Sequence, residues 1–258
     1  MEETYYQGNG FYNYIKSHNK KGFFFLTKNR WLMVYGNQQR EAKLIIYLAS
    51  LTNDEYLNNE ISENDLKDLA VVKLLSLQTG VPYLYVGFEE KNDELQEVKV
   101  YENNNLIYLN LLELRNKYVS YGLPISSSSS RKEINSKYSN VYQKWQLQQG
   151  NGLVASDIDL LLVNKKIECA FELKRSKISI TRWEPYKEDF HNFELLSNLF
   201  IKGNIQFYIV YNHRQENPFR DCIEDLKMFS VDTRRKNLCE FVEYLTIEKF
   251  FNKFKLEE

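Results

Sequence analysis

Three cysteines in 258 residues, Cys169, Cys222 and Cys239, are too few and too scattered to form a disulfide framework or a paired-cysteine zinc site. They read as reduced structural thiols. No apolar run approaches the roughly 20 residues that a membrane helix needs, and Met1-Glu2-Glu3 lacks the basic and apolar regions of a secretion signal. A cytoplasmic location with no membrane partner is therefore the expectation. Excess charge of one sign is also missing: 34 Lys and Arg stand against 35 Asp and Glu, for a net charge of -1 and a pI near 6.4. The chain as a whole carries no basic footprint of a nucleic-acid protein. There is no GxxxxGK phosphate loop, no HExxH zinc helix and no GxSxG nucleophile elbow. His18, His191 and His213 are isolated in sequence and read as surface or core histidines. What remains is a chain with 15% aromatic residues, rich enough in core formers to fold as one large or two small domains.

The informative stretch is Ser156-Asp157-Ile158-Asp159-Leu160-Leu161-Leu162 followed by Phe171-Glu172-Leu173-Lys174-Arg175-Ser176. In an extended chain side chains alternate between faces, so Glu172 and Lys174 share one side while Phe171 and Leu173 share the other. The short connection Asn164-Lys165-Lys166 can fold the two strands into a hairpin and bring Asp159 beside Glu172. Two carboxylates then meet next to one lysine. Carboxylate oxygens are hard ligands suited to Mg²⁺, and a neighbouring lysine can hold an attacking water or spread charge on a phosphoryl transition state. The plainer account is a surface hairpin with solvated charges. Asp157 competes with Asp159 because both lie on one strand face; the position of Asp159 against the apolar run favours it.

Asp159, with Glu172-Leu173-Lys174 thirteen residues later, resembles the PD-(D/E)XK nuclease superfamily over about half of the chain. The resemblance implies a restriction-endonuclease-like α/β fold, a mixed sheet flanked by helices, and divalent-metal-dependent hydrolysis of phosphodiester bonds, with Mg²⁺ or Mn²⁺ as cofactor. It implies Asp159 and Glu172 as metal ligands and Lys174 as the third catalytic position. The proline that names the family is absent before Asp159. Relatives often place a further acid on the preceding helix, which points to Glu133; a capping box with Ser130 explains the same residue without catalysis. Gln143 is a second helix candidate with no better claim than a solvated polar position.

The flanking pattern suits this reading. Ile134, Tyr138, Val141, Tyr142 and Trp145 recur at helical spacing and predict a helix over 131–149. Pro185 suits a helix start, and Phe190, Phe193, Leu196 and Phe200 mark one face of the helix that follows. Ile205 to Tyr211 reads as a returning strand, for an order α-β-β-α-β. Tyr186, Asp189 and Asn192 lie near the start of the later helix, within reach of substrate or simply on a polar helix face. Arg175, Lys165 and Lys166, with Tyr186, are the expected substrate-binding residues; Arg182 and Arg234-Arg235-Lys236 add local positive charge.

The first half reads as a degenerate copy of the second. Lys73-Leu74-Leu75-Ser76, Gly80 and Pro82 to Val86 parallel Glu194-Leu195-Leu196-Ser197, Gly203 and Gln206 to Val210. Tyr108-Leu109 through Tyr118 parallels Tyr244-Leu245 through Phe254. With Leu32 to Tyr35 and Leu44 to Leu48 as the two motif strands, Trp31, Ile46 and Leu48 would stand in place of Asp159, Glu172 and Lys174. The expected organisation is a degenerate nuclease-like or scaffold domain over 1–125, a serine linker over 126–130, and a nuclease domain over 131–258. The function expected is a DNA endonuclease, working alone, as a homodimer or in a larger nucleoprotein complex. The alternative is a non-catalytic nucleic-acid-binding or assembly module that keeps the fold.

Overall fold

The computed structural model describes residues 9–26, 29–90, 94–126, 140–216 and 219–255. The protein is a mixed α/β chain with two six-stranded mixed sheets, each flanked by helices. It divides into two compact units, Asn29–Asp157 on one side and Met1–Lys28 with Ile158–Glu258 on the other.

The unit 29–157 contains β2 (Arg30–Gly36), β3 (Ala42–Leu51), α2 (Asn53–Leu57), α3 (Glu63–Thr79), β4 (Tyr83–Glu89), β5 (Glu97–Glu102), β6 (Asn105–Asn110), α4 (Leu111–Ser120), α5 (Val141–Leu147) and β7 (Val154–Asp157). Its strands are ordered β7-β2-β3-β4-β5-β6. Only β3 and β4 run parallel, and α3 supplies the crossover that parallel neighbours require. Ser62 caps the start of α3 and Gly80 ends it at φ 68°, a left-handed position that glycine adopts without a Cβ penalty.

The other unit contains α1 (Gly10–Ser17), β1 (Phe23–Phe24), β8 (Leu160–Val163), β9 (Ile167–Ser176), a 3₁₀ turn (Lys187–Asp189), α6 (Phe190–Lys202), β10 (Gln206–Glu216), β11 (Phe219–Val231), β12 (Cys239–Thr246) and α7 (Ile247–Lys253). Its order is β1-β8-β9-β10-β11-β12. Here β9 and β10 are the parallel pair, joined through α6, and every other neighbour is antiparallel. Read from the β7 edge and the β1 edge, the two sheets therefore share one series of pairings: antiparallel, antiparallel, parallel, antiparallel, antiparallel.

The expected division at 126–130 is corrected by these pairings. Each sheet takes its edge strand from the other half of the sequence: β1 pairs with β8, and β7 pairs with β2. The helices travel with them. On α1, Phe11, Tyr12 and Ile15 join Phe250, Phe251 and Phe254 beneath Phe171 and Leu173, whereas Tyr142 and Trp145 of α5 join Leu114 and Tyr118 beneath Ile46 and Leu48. Burying a side chain of this size contributes about 1.5–3 kcal/mol, so each helix stays where its apolar stripe is covered. Gly10 anchors α1: its N–H donates to Asp221 Oδ2 at 2.8 Å, and a Cβ there would meet Asp221 Cβ at 2.9 Å. The helix expected over 131–149 is described as α5, capped by Asn140 with Gln143 returning to the Asn140 N–H. Residues 127–139, including Glu133 and most of the serine run, lie outside the described residues.

Candidate functional site

Alternation on β9 places its side chains as the pattern demands. Cys169, Phe171 and Leu173 enter the aromatic core under α1 and α7. Glu172 and Lys174 share the opposite face, where Glu172 Oε1 lies 3.0 Å from Lys174 Nζ. The β8–β9 hairpin pairs Leu160 with Phe171 and Leu162 with Cys169. That register carries Asp159 to the level of Glu172 and Leu173. Asp159 Oδ2 accepts a hydrogen bond from the Leu173 N–H at 2.8 Å, while the Asp159 carbonyl accepts one from Tyr12. Asp159 and Glu172 are both buried. Asp157 ends β7 as an exposed residue paired with Met33 in the other sheet, whereas Asp159 reaches β9.

Lys174 has a second carboxylate neighbour: Asp189 Oδ2, in the 3₁₀ turn ahead of α6, stands 3.3 Å from Nζ. The ring of Phe193 lies 5.5 Å away. Burial alone would lower the Lys174 pKa, but the charge and hydrogen bond of Glu172, with Asp189 and Asp159, hold it well above the ordinary lysine value. Lys174 is thus a fixed cation, suited to stabilising charge and unsuited to accepting a proton.

The connection that delivers Asp189 is pinned from below. The Trp183 ring stacks on Tyr211 at 4.2 Å and 1°, and Tyr211 sits beside Lys174 in the parallel register. Lys227, paired with Tyr211 across β10 and β11, donates to the Trp183 carbonyl at 2.6 Å and to Glu184 Oε1 at 2.7 Å. Tyr186 is half exposed, with its ring 6.1 Å from Trp183. Asn192 Oδ1 is buried without a hydrogen-bond partner among the described residues. Neither Lys227 nor the pinning role of Trp183 was legible in sequence, because both rest on tertiary contacts, the longest of them the Lys227 bond to a carbonyl 44 residues earlier.

Three expected substrate contacts lie elsewhere. Arg175 is drawn into the interior, its guanidinium 2.7 Å from Asp221 and its side chain 5% exposed. Alternation explains this, since Arg175 follows Lys174 and points to the other face. Lys165 and Lys166 occupy the β8–β9 turn at the far end of the hairpin from Asp159.

The donor set fits a hard cation in type, with carboxylates at Asp159 and Glu172 and a third at Asp189. Mg²⁺ commonly uses one or two carboxylates and fills its remaining positions with water and phosphate oxygens. Among the described residues no group of three or more His, Cys, Asp or Glu side chains is arranged to hold a metal ion. The cysteines are free, and burial pushes the Cys169 and Cys239 thiols up to about 12. Among the described residues no helix is long and apolar enough to cross a membrane.

The corresponding face of the other unit has different residues from those expected. Ile46 and Leu48 point into the cluster under α4 and α5, the face that Phe171 and Leu173 occupy across the parallel-pair register. A one-residue slip moves every side chain to the other face. Tyr47 and Ala49 therefore lie on the opposite face of β3, with Leu32 paired opposite Tyr47. Tyr47 donates to Asp65 and Asp68 at 2.7 and 3.1 Å, and Arg30 binds Asp65 through Nε at 2.7 Å and Nη2 at 3.2 Å. A neutralised ion pair fills that face.

No protein-family model matches the chain, and no curated protein matches it. Among solved structures, the C-terminal domain of the sex pheromone staph-cAM373 precursor from Staphylococcus aureus is 10% identical, with 85% of this chain and 74% of that chain covered and a TM-score of 0.18. A crystal structure of sex pheromone staph-cAM373 precursor is 7% identical, with 91% and 88% covered and a TM-score of 0.14. Likeness at that level assigns neither fold nor function.

Proposed function

We propose that the chain is a divalent-metal-dependent nuclease of restriction-endonuclease-like fold, acting on the phosphodiester backbone of DNA through Asp159, Glu172 and Lys174. The observation that carries this reading is the Asp159 carboxylate bound to the Leu173 N–H, between Glu172 and Lys174 on the strand. The Asp159 carboxylate meets the backbone between Glu172 and Lys174, which share one face of β9, so buried carboxylates and a lysine with a raised pKa stand within one short stretch of sheet, a combination suited to phosphoryl chemistry. Mg²⁺ or Mn²⁺ held by Asp159 and Glu172 would polarise the phosphate ester and make hydroxide more available. Lys174 stabilises negative charge on the phosphate oxygens, and Asp189 orients the ammonium from its other side. Glu133 stays a candidate for a further acid, and Tyr186 for a substrate contact.

The finer fold reading is an internal duplication with an inactive first copy. Two buried lysines support it. Lys99 on β5 and Lys227 on β11 sit at the same place in the shared pairing series, each 1% exposed. Lys99 donates to the carbonyls of Glu55, Asn58 and Glu60, between β3 and α3; Lys227 donates to the carbonyl of Trp183, between β9 and α6. Each copy then reads α-β-β-β-α-β-β-β-α, with its first helix and strand lodged in the other copy's unit. One site per chain nicks a duplex unless two chains pair.

A non-catalytic binding or assembly role is the second reading. Lys174 lies within 3.3 Å of both Glu172 and Asp189 and neutralises carboxylates that a cation would otherwise use. Incubating single- and double-stranded DNA and RNA with the protein in Mg²⁺, Mn²⁺ or chelator separates the two: cation-dependent cleavage supports the nuclease, and binding with no cleavage in any cation supports the second reading.

A further inference from the structure

A cavity of about 910 Å³ opens at the far end of the β8–β9 hairpin. Its lining comes from three places: the turn between α1 and β1, the turn between β8 and β9, and the end of α7. Lys20, Lys21, Lys165 and Lys255 line it with no Asp or Glu among the lining residues. None of the four lysines makes an ion pair among the described residues. Phe23, Phe251 and Phe254 also line the cavity, Phe23 half-buried and the other two only 5% and 6% exposed as part of the core, and Lys20 Nζ lies 5.1 Å from the Phe251 ring centroid. In a chain of net charge -1, four cations around one concavity with no ion pair among the described residues are a local excess. The cavity is distinct from the candidate catalytic face. Glu172 lies five residues along the strand from Ile167, which at about 3.3 Å each places the turn that carries Lys165 on the order of 16 Å from the carboxylates.

We propose that this cavity binds a segment of single-stranded nucleic acid, with lysines on the phosphates and a base against the half-buried Phe23 ring. Phosphate charge calls for compact cations, and an unstacked base supplies a flat apolar face that the Phe23 ring can meet. A duplex offers the phosphates but keeps its bases stacked. The volume lies at the upper end of the roughly 300–1,000 Å³ typical of ligand sites, room for more than one nucleotide. The choice of nucleic acid among phosphate-bearing ligands rests on the reading in the preceding subsection.

The test is fluorescence anisotropy of a labelled oligothymidylate of about a dozen nucleotides in chelator, where binding is read without cleavage. Lys21 and Lys165 are exposed and unpaired, so Lys21→Ala with Lys165→Ala leaves the fold intact, which a thermal melt verifies. Lys67→Ala with Lys73→Ala on α3 is the charge-matched control. Each phosphate contact to a single strand contributes about 0.7 to the salt slope, or about fivefold in affinity at 0.1 M salt. The cavity pair is expected to weaken binding about 25-fold and to lower the slope by about 1.4, while the control pair stays within twofold. Unchanged binding in the cavity pair, equal weakening in both pairs, or displacement by millimolar inorganic phosphate with no dependence on oligonucleotide length would overturn the proposal. Cleavage in Mg²⁺ is scored separately on the same proteins. Binding that depends on the cavity lysines in a chain that never cuts sustains this proposal and removes the catalytic one.

Discussion

Replacing Lys227 with methionine keeps the volume of the side chain and removes its charge, so it isolates what the buried ammonium does. Lys227 is 1% exposed and donates to the buried Trp183 carbonyl at 2.6 Å and to Glu184 Oε1 at 2.7 Å. Stranding a buried carbonyl costs about 1–3 kcal/mol. The Glu184 side chain is 66% exposed, so that half of the interaction contributes about 0–1 kcal/mol after solvent screening. Relief of the lysine's own desolvation offsets part of the sum, leaving a net loss of about 2 kcal/mol. For a cooperative unit of about 130 residues this lowers the melting temperature by about 7 °C. Because Trp183 leads to Asp189 and Asp189 faces Lys174, the variant is also expected to lose cleavage rate at saturating substrate. Lys99→Met, which strands the Glu55, Asn58 and Glu60 carbonyls in the other unit, is expected to destabilise to a similar degree with cleavage intact. Calorimetry and single-turnover cleavage read both effects. A Lys227→Met protein that melts within about 1 °C of the parent would refute the anchoring argument, since it implies under about 0.3 kcal/mol.

Asp221 is partly buried, which alone would raise its pKa, but Arg214, the Gly10 N–H and Arg175 together hold the carboxyl below its ordinary 3.8. A depressed folded pKa contributes stability that is present above the unfolded value and lost as pH falls through the folded one. Asp221→Asn should therefore lower stability at neutral pH and flatten the acid limb of the stability profile below about pH 4, measured by urea midpoints. Lys174 has a raised pKa, so the stability its pairing supplies is complete below the unfolded lysine value and is lost only above it. The rate profile should accordingly show no lysine ionisation between about pH 6 and 10, and Lys174→Arg should retain more activity than Lys174→Ala. Arg30→Met strands the buried Asp65 carboxylate and should cost about 3–5 kcal/mol, with Asp65→Asn recovering part of the loss in the double variant.

Much of the candidate site could be read in sequence because it is local. Thirteen residues separate Asp159 from Glu172, a hairpin joins them, and alternation orients Glu172 with Lys174. The helix and returning strand after them were equally legible from spacing and emerge as α6 and β10. The edges were not. Strand β1 is two residues long, and no pattern within Phe23-Phe24 reveals that it pairs with Leu161 and Leu162. The helix read as preceding the motif belongs to the other unit, and α1 takes its place, because apolar stripes state that a helix is buried but not against which partner. The face taken by Ile46 and Leu48 was hidden for the same reason. Leu44 to Leu51 is buried throughout, so period two is invisible and only the pairing of Leu48 with Val86 fixes the face.

The most direct test is a cleavage time course with the parent and Glu172→Gln in Mg²⁺. The substitution keeps the shape of the side chain and removes the charge beside Lys174. The account predicts that the parent cuts DNA only with the cation, that Glu172→Gln loses at least about 100-fold in rate, roughly 2.7 kcal/mol of transition-state stabilisation, and that the variant still melts as a folded protein, at a lower temperature because Lys174 loses a charged partner. Cleavage by Glu172→Gln at the parental rate, or parental cleavage undiminished in chelator, would contradict it.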